Sequence, residues 1–174
     1  RAHGSARKDT INCLGYSCYD FDYYVQAIKD VQAKQPDKPA FFSITGTAPE
    51  VADLLKETAK VFGEAAATQV LVEVNLSCPN IGGHPPVAYD FPAMRAYLTT
   101  ALGGGTHGLQ VGLKLTPYFY DGQFVAAAAV LNEMEGLAFI TTINTVGCGL
   151  AVDVETEAPL LAEASGASFG GLGG

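Results

Sequence analysis

The sequence predicts an α/β fold with a parallel sheet, a (β/α)8 TIM barrel represented by a partial barrel of about four βα units. The main reason is that apolar, β-rich segments alternate strictly with helical patterns, which is typical of βαβ units. A Rossmann-type sheet fits the same alternation, but the glycine fingerprint after its first strand is absent at residues 45–49. A complete barrel needs about 200 residues or more. The 174 residues therefore predict roughly half of one, as a single partial domain over residues 1–174.

Four segments combine apolar and β-branched side chains and are predicted as strands. They are residues 40–45, 70–76, 110–116 and 138–144. Because neighbours on a strand point to opposite faces, Asn75, Lys114 and Asn144 each lie opposite a more apolar face, near a carboxyl end. In the last segment this parity groups Asn144 with Ile140 and opposes both to Phe139. Barrel active sites form at the carboxyl ends of strands, so the three polar groups predict a site, although a single polar strand end would more simply meet solvent.

Three helical patterns separate these segments. The first begins at Thr47, with Glu50 three residues later as in a capping box. The second has Asp90 as its N-cap, and the third starts near Asp121 and stops at Gly136. The apolar positions expected to face the core are Val51, Leu54, Leu55, Val61, Phe62, Met94, Tyr97, Leu98, Ala101, Phe124, Val125, Ala128 and Leu131.

Composition argues against several kinds of partner. The chain carries 18 acidic and 10 basic residues, a net charge of −8, which repels phosphate backbones, so we expect no nucleic-acid partner. Its longest strongly apolar run, residues 124–131, is too short to cross a bilayer, so we expect no membrane association. Four scattered cysteines match neither a zinc site nor a disulfide framework, which predicts no metal and a reducing compartment. The start without Met and the glycine-rich end indicate a piece of a longer protein.

Residues 75–80, Asn-Leu-Ser-Cys-Pro-Asn, are the segment richest in chemistry. Cys78 follows a strand end, with two carboxamides and a hydroxyl around it. A thiol has an ordinary pKa near 8.5 and acts as a base where neighbours stabilise its thiolate. Carboxamides both donate and accept hydrogen bonds, which suits a planar substrate bearing imide and carboxylate groups. From the residues alone, Cys78 is equally well interpreted as a structural thiol or as a reactive group.

The same segment resembles the signature of class 1 dihydroorotate dehydrogenases. Residues 87–91, Val-Ala-Tyr-Asp-Phe, resemble the class 1A branch of that family. The similarity continues, in family order, through residues 10–12, 111–114, 144–147 and 169–174. It therefore covers nearly the whole chain.

The resemblance implies a substrate site for dihydroorotate. Cys78 matches the catalytic base that removes the C5 proton, after which a hydride leaves C6 and orotate forms. The positions implied to bind the substrate are Asn12, Leu14, Gly15, Tyr16, Asn75, Asn80, Asn144 and Thr145. Residues 13–18 depart from the usual family sequence, which weakens the match at Leu14, Gly15 and Tyr16. Cys148 and His84 also replace other residues and receive no role.

The resemblance also implies FMN as cofactor. Asn75, Lys114, Ile143 and Gly174 match flavin-contacting positions, and Lys114 would stabilise negative charge on the reduced flavin. Fumarate as acceptor, a homodimer and a cytoplasmic location are implied as well. The upstream Lys-Ser pair and the downstream phosphate-binding glycine loops of the family are not in this chain. We therefore expect these 174 residues alone to bind FMN weakly or not at all.

Two further expectations concern an ion pair inside the barrel and the alternative functions. Glu73 and Lys114 point to the same face of adjacent predicted strands, so we expect them to form an ion pair, since a lone buried carboxylate would be costly. A flavin-dependent dihydropyrimidine dehydrogenase module is a second interpretation, because it shares the start of the residue 75–80 motif. A catalytically silent half-barrel is the third.

Overall fold

The computed structural model describes residues 10–12, 18–63, 69–77, 86–161 and 170–173, apart from the side chain of Asn12. The chain divides into two compact units. We call Tyr19–Ile143 the parallel unit, and Arg1–Cys18 together with Asn144–Gly174 the terminal unit.

The parallel unit alternates helices and strands. Its helices are α1 (Phe21–Lys34), α2 (Ala48–Phe62), α3 (Phe91–Ala101) and α4 (Asp121–Asn132), with a 3-10 turn at Val87–Tyr89. Its strands are β2 (Ala40–Ile44), β3 (Val70–Asn75), β4 (Gln110–Lys114) and β5 (Leu137–Thr141). All three neighbouring pairs are parallel, in the order β2-β3-β4-β5. This is the predicted arc of an α/β barrel.

One face of this sheet forms the core under the helices. Val72 and Leu113 on the strands and Leu55 and Leu98 on the helices are fully buried. Such close-packed apolar burial is the main source of stability in a domain of this size. The opposite face carries Phe41 and Glu73 and is not covered by any of the helices α1 to α4, as expected for the inside of a barrel.

The helix ends follow local chemistry. At α2 the Glu50 carboxylate accepts hydrogen bonds from the Thr47 backbone N–H (2.7 Å) and hydroxyl (2.8 Å), which confirms the predicted capping pair. At α3 the Asp90 carboxylate accepts from the backbone N–H of Ala93 at 3.0 Å. Both starts lie where the sequence predicts them. Within the described part of the chain, no helix combines the length and the apolar character needed to span a bilayer.

The terminal unit is a small antiparallel sheet that the alternation pattern does not predict. Its strands are β1 (Thr10–Asn12), β6 (Val146–Gly149) and β7 (Gly170–Gly173), in the order β1-β7-β6. Asn12 pairs with Gly171, and Val146 pairs with Leu172. Whether the whole chain is one partial domain stays a prediction.

Two predictions from parity and periodicity are wrong. Phe139 and Thr141, not Ile140, share the face of Lys114, because the register pairs Lys114 with Thr141 after a shift at Gly112. The ring of Phe139 lies over Gly112, where only glycine leaves room for it. The strand then ends at Thr141, so parity cannot place Asn144 on this face.

The second error concerns the core face of α4. Phe124 and Val125 were expected to face inward, but they are 55% and 70% exposed, and the buried positions are Ala127 and Val130. The helix is alanine-rich and apolar on most sides, so its spacing does not single out one face. α1 is an additional helix that the patterns above do not include.

Candidate active site

The carboxyl edge of the parallel sheet brings Asn75 and Lys114 together. They are register partners on β3 and β4, and the backbone N–H of Leu76 continues the ladder to the Lys114 carbonyl at 3.1 Å. Since partners across neighbouring strands point to the same face, the Asn75 and Lys114 side chains both project from the uncovered face. This edge is where barrels of this class build their active sites.

The orientation of the Asn75 carboxamide is fixed by the next turn of chain. Its Oδ1 accepts hydrogen bonds from the backbone N–H (3.1 Å) and the hydroxyl (2.7 Å) of Ser77. This is a local side-chain turn of the kind that asparagine favours. The Asn75 carboxamide is therefore held in one orientation at the edge of the sheet.

Glu73 and Lys114 form the predicted ion pair. Lys114 Nζ lies 3.8 Å from Glu73 Oε1, and the same oxygen accepts the hydroxyl of Ser43 at 2.9 Å. Glu73 is 7% exposed, so its charge is stabilised by these two partners rather than by bulk water. A carboxylate, a hydroxyl and an ammonium therefore meet on the inner face, one layer below Asn75.

Two hydroxyls at the carboxyl end of β2 belong to the same region and were missed by the site prediction. Ser43 lies on the strand and holds Glu73, and Thr45 is the first residue after the strand. Thr45 Oγ1 is buried and has no hydrogen-bond partner among the described residues. A buried hydroxyl of this kind requires a partner from a ligand or from more of the chain. The alternation of residues 40–45 contained the signal, because Ser43 and Thr45 share a parity opposite to Phe42 and Ile44.

The described residues on either side of the Cys78 segment are hydrogen-bonded to each other. The backbone N–H of Ala88 donates to the Leu76 carbonyl at 3.4 Å, and the Tyr118 hydroxyl donates to the Ala88 carbonyl at 3.1 Å. Burial, with a smaller contribution from Tyr89, raises the pKa of Tyr118 to about 12, so its hydroxyl stays protonated and donates at neutral pH. Leu76 and Ala88 are therefore held together within the parallel unit.

The terminal unit brings a second group of predicted residues together. Asn144 Oδ1 accepts the backbone N–H of Thr145 at 2.8 Å. The Thr145 side chain packs directly on Gly171, leaving no room there for a β-carbon, and Gly171 pairs with Asn12 on β1. Close approach of this kind is a use to which glycine is suited.

Ile143 is the remaining predicted position among the described residues. Ile143 ends the parallel unit and is 50% exposed. The predicted site residues that fall outside the described residues are Leu14, Gly15, Tyr16, Cys78, Asn80 and Gly174. The roles of all the predicted site residues stay predictions.

Comparison with known proteins gives one consistent result. A family profile described as "Dihydroorotate dehydrogenase" matches residues 4–174. A dihydroorotate dehydrogenase (fumarate) of Trypanosoma cruzi is 42% identical over 166 residues, 95% of this chain and 50% of that protein. A putative dihydroorotate dehydrogenase A (fumarate) of Streptococcus uberis is 38% identical over 165 residues, with the same shares covered.

A yeast relative agrees with these two. The dihydroorotate dehydrogenase (fumarate) of Saccharomyces cerevisiae is 37% identical over 167 residues, again 95% of this chain and 50% of that protein. The chain thus spans about half the length of the curated relatives it matches.

Proposed function

The chain belongs to the dihydroorotate dehydrogenase family, and on that premise we propose that the protein containing it oxidises dihydroorotate to orotate, a step in UMP biosynthesis. FMN would be the cofactor and fumarate the acceptor. The observation that carries the proposal is the in-register pair Asn75 and Lys114 at the carboxyl edge of the parallel sheet, with Cys78 three residues after Asn75 in the sequence. An amide and a cation at one barrel edge match the needs of a planar, anionic substrate beside a flavin.

In this mechanism Cys78 acts as the base. Its thiolate takes the proton from C5 of dihydroorotate, and the C6 hydrogen leaves as hydride, so that the electrons of the C5–H bond form the C5–C6 double bond of orotate. FMN, contacted by Lys114 and Asn75, would supply the hydride acceptor. Fumarate would be the final oxidant of the overall reaction and would leave as succinate after gaining two electrons and two protons. A thiol is well suited to the first step because its ordinary pKa lies near 8.5, close to the working pH.

The residues at the sheet edge fit a flavin. The Lys114 ammonium would face the N1–C2 edge of the ring, where it offsets the negative charge gained on reduction. Asn75, whose oxygen Ser77 holds, would contact the ring and the substrate. The buried Thr45 hydroxyl, which has no hydrogen-bond partner among the described residues, supports the presence of a polar group at this edge. Ile143 and Gly174 would add backbone contacts.

Amide and hydroxyl side chains are proposed to bind the substrate. Asn75, Asn144 and Thr145 would hold the pyrimidine ring. The Thr145–Asn144 hydrogen bond and the close fit on Gly171 support a fixed orientation for the second pair. The other proposed substrate positions are Asn12, Leu14, Gly15, Tyr16 and Asn80. The homodimer and the cytoplasmic location stay predictions.

The test is Cys78→Ser in the full-length protein with its flavin. Because a positioned base contributes roughly 100- to 10,000-fold, the rate of flavin bleaching by dihydroorotate should fall by about that factor. Anaerobic stopped-flow absorbance measures the rate, and the flavin spectrum before mixing verifies that the cofactor is retained. Cys18→Ser, at an exposed cysteine, is the matched control and should keep the original rate.

Two results would contradict the proposal. An unchanged bleaching rate in Cys78→Ser would remove the base assignment. Bleaching by dihydrouracil but not by dihydroorotate would favour the dihydropyrimidine dehydrogenase interpretation instead.

A further inference from the structure

We propose that Glu73, anchored by Ser43, is a positioning residue for Lys114. The inference rests on the proposed function, because it concerns the side chain assigned to the flavin. Glu73 does not reach the carboxyl edge itself. It lies two residues before Asn75 on β3, so it occupies the layer beneath the edge and acts on the site through the lysine.

The Glu73 carboxylate is held from one side by a short hydrogen bond. Ser43 Oγ donates to Glu73 Oε1 at 2.9 Å across the β2–β3 pair, where the two residues are register partners. On the other side the register partner is Gly112, which offers no side chain. The room above Gly112 is taken by the Phe139 ring, which is apolar. Lys114 is therefore the cationic partner of this carboxylate among the described residues.

The distance between the two charged groups allows electrostatic attraction but no hydrogen bond. At 3.8 Å, Lys114 Nζ is drawn toward Glu73 Oε1 but is too far away to donate a hydrogen bond to it. The ammonium hydrogens can thus point to an acceptor at the edge while the charge below restrains the long side chain. The exposed fractions of the side chains, 28% for Lys114 and 9% for Glu73, agree with an ammonium that points to the edge above a buried carboxylate.

A lysine has four rotatable side-chain bonds, so an unrestrained ammonium samples many positions. Placing a fixed carboxylate beneath it favours the position beside the flavin before the flavin gains charge, which is pre-organisation. If Glu73 acts in this way, removing its charge weakens the stabilisation that Lys114 gives to the reduced flavin. If Glu73 instead acts directly as a nearby negative charge, removing it strengthens that stabilisation. The direction in which the flavin midpoint potential changes therefore distinguishes the positioning role from the direct electrostatic role.

The main experiment is a double-mutant cycle in the full-length flavin-bound protein, using Glu73→Gln and Lys114→Met. Gln keeps the shape and can still accept the Ser43 hydroxyl, so mainly the charge is lost. The readout is the flavin midpoint potential, measured by dye-coupled reduction without dihydroorotate. We expect Lys114→Met to lower the potential and Glu73→Gln to lower it less. The expected loss for Glu73→Gln is on the order of tenfold in the preference for reduced over oxidised flavin.

The cycle gives clear contradictory outcomes. In the Lys114→Met background, Glu73→Gln should not lower the potential further. An equal lowering in both backgrounds would mean that Glu73 acts independently of the lysine, and a raised or unchanged potential in Glu73→Gln alone would also overturn the proposal. Ser43→Ala keeps both charges and should lower the potential by less than Glu73→Gln.

A second measurement needs no flavin. Urea unfolding of the flavin-free protein with the same four sequences should show that the two substitutions are coupled, since each removes the partner of the other. Glu57→Gln is the matched control, because Glu57 pairs with Lys60 on the exposed surface of α2 and should change unfolding little. Additive effects of Glu73→Gln and Lys114→Met would overturn the proposal even if no flavin is ever bound.

The two proposals fail in different ways. If dihydroorotate does not bleach the flavin but the potentials follow the expected cycle, the proposed function fails and the positioning role stands. If Glu73→Gln keeps both the original rate of flavin bleaching by dihydroorotate and the original flavin midpoint potential, the function stands and the positioning role fails.

Discussion

The strands of the parallel unit are five or six residues long, and three of them bury one face under helices. The strands of the terminal unit are three or four residues long, and β6 and β7 are rich in glycine. In the first unit, positions are fixed by large apolar side chains that fill a core. In the second, Gly171 and Gly149 let Thr145 and Leu172 approach the backbone closely. Large buried side chains thus fix the parallel unit, whereas glycines, which have no side chain, allow the close contacts of the smaller sheet.

The largest expected effect tests whether stability resides in the parallel unit. Leu55→Ala removes a fully buried side chain between helices and sheet and should cost about 2–5 kcal/mol of unfolding free energy. Leu172→Ala removes a side chain that is 42% exposed and should cost clearly less. Urea unfolding of the two variants in the full-length protein measures both. Equal losses would contradict the view that the core of the parallel unit dominates.

This division also explains how much of the fold the sequence predicts. The alternation of residues 40–45, 70–76 and 110–116 locates β2, β3 and β4 to within two residues, because their buried faces impose a period of two. α1 escapes prediction because only Val25 and Ile28 of its 14 residues are buried. The strands of the terminal unit are too short to show a period.

The second prediction sharpens the role of missing side chains in the terminal unit. Gly171→Ala places a methyl group where the Thr145 side chain lies, so that residue must shift. We expect a loss of about 1–3 kcal/mol in stability, typical of overpacking, and, on the proposed function, roughly tenfold weaker orotate binding. Isothermal titration with orotate and urea unfolding measure the two effects.

Gly147→Ala is the matched control for that substitution. Gly147 lies in the same small sheet, but a β-carbon there meets nothing within 4 Å. It should therefore leave stability and binding nearly unchanged. If Gly147→Ala and Gly171→Ala behave alike, the loss comes from glycine flexibility in general and not from the fit with Thr145.

The same contrast marks the limit of predicting the site. Parity along β3 and β4 predicts that Glu73 and Lys114 form an ion pair, and the structure confirms it. The fit of Thr145 on Gly171 joins residues that are distant in sequence and follow no period, so no local pattern indicates it. Asn144 shows a third case, because parity fails once β5 has ended at Thr141. For Cys78, the residues alone left two interpretations open, and only the family resemblance favoured one.

The smallest expected effect compares one exposed carboxylate in each unit. The pKa of Glu50 is lowered from 4.5 by hydrogen bonds from the Thr47 backbone and hydroxyl, and the pKa of Asp153 is lowered from 3.8, chiefly by Thr156. A lowered pKa in the folded state means that each group stabilises the fold above its ordinary value and loses this contribution as the pH falls below it. Glu50→Gln should therefore destabilise the protein at pH 7, with the difference vanishing in acid.

Asp153→Asn should behave differently if the comparison between the units holds. Asp153 Oδ1 accepts the backbone N–H groups of Glu155 and Thr156 at 3.0 and 2.8 Å, all within one turn of the terminal unit. We expect its loss to speed amide exchange in that turn without changing the urea midpoint, whereas Glu50→Gln should shift the midpoint slightly, because α2 packs on the main core. A midpoint shift in Asp153→Asn as large as that in Glu50→Gln would mean that the turn unfolds together with the parallel core, and the two units would then have to be treated as one cooperative structure.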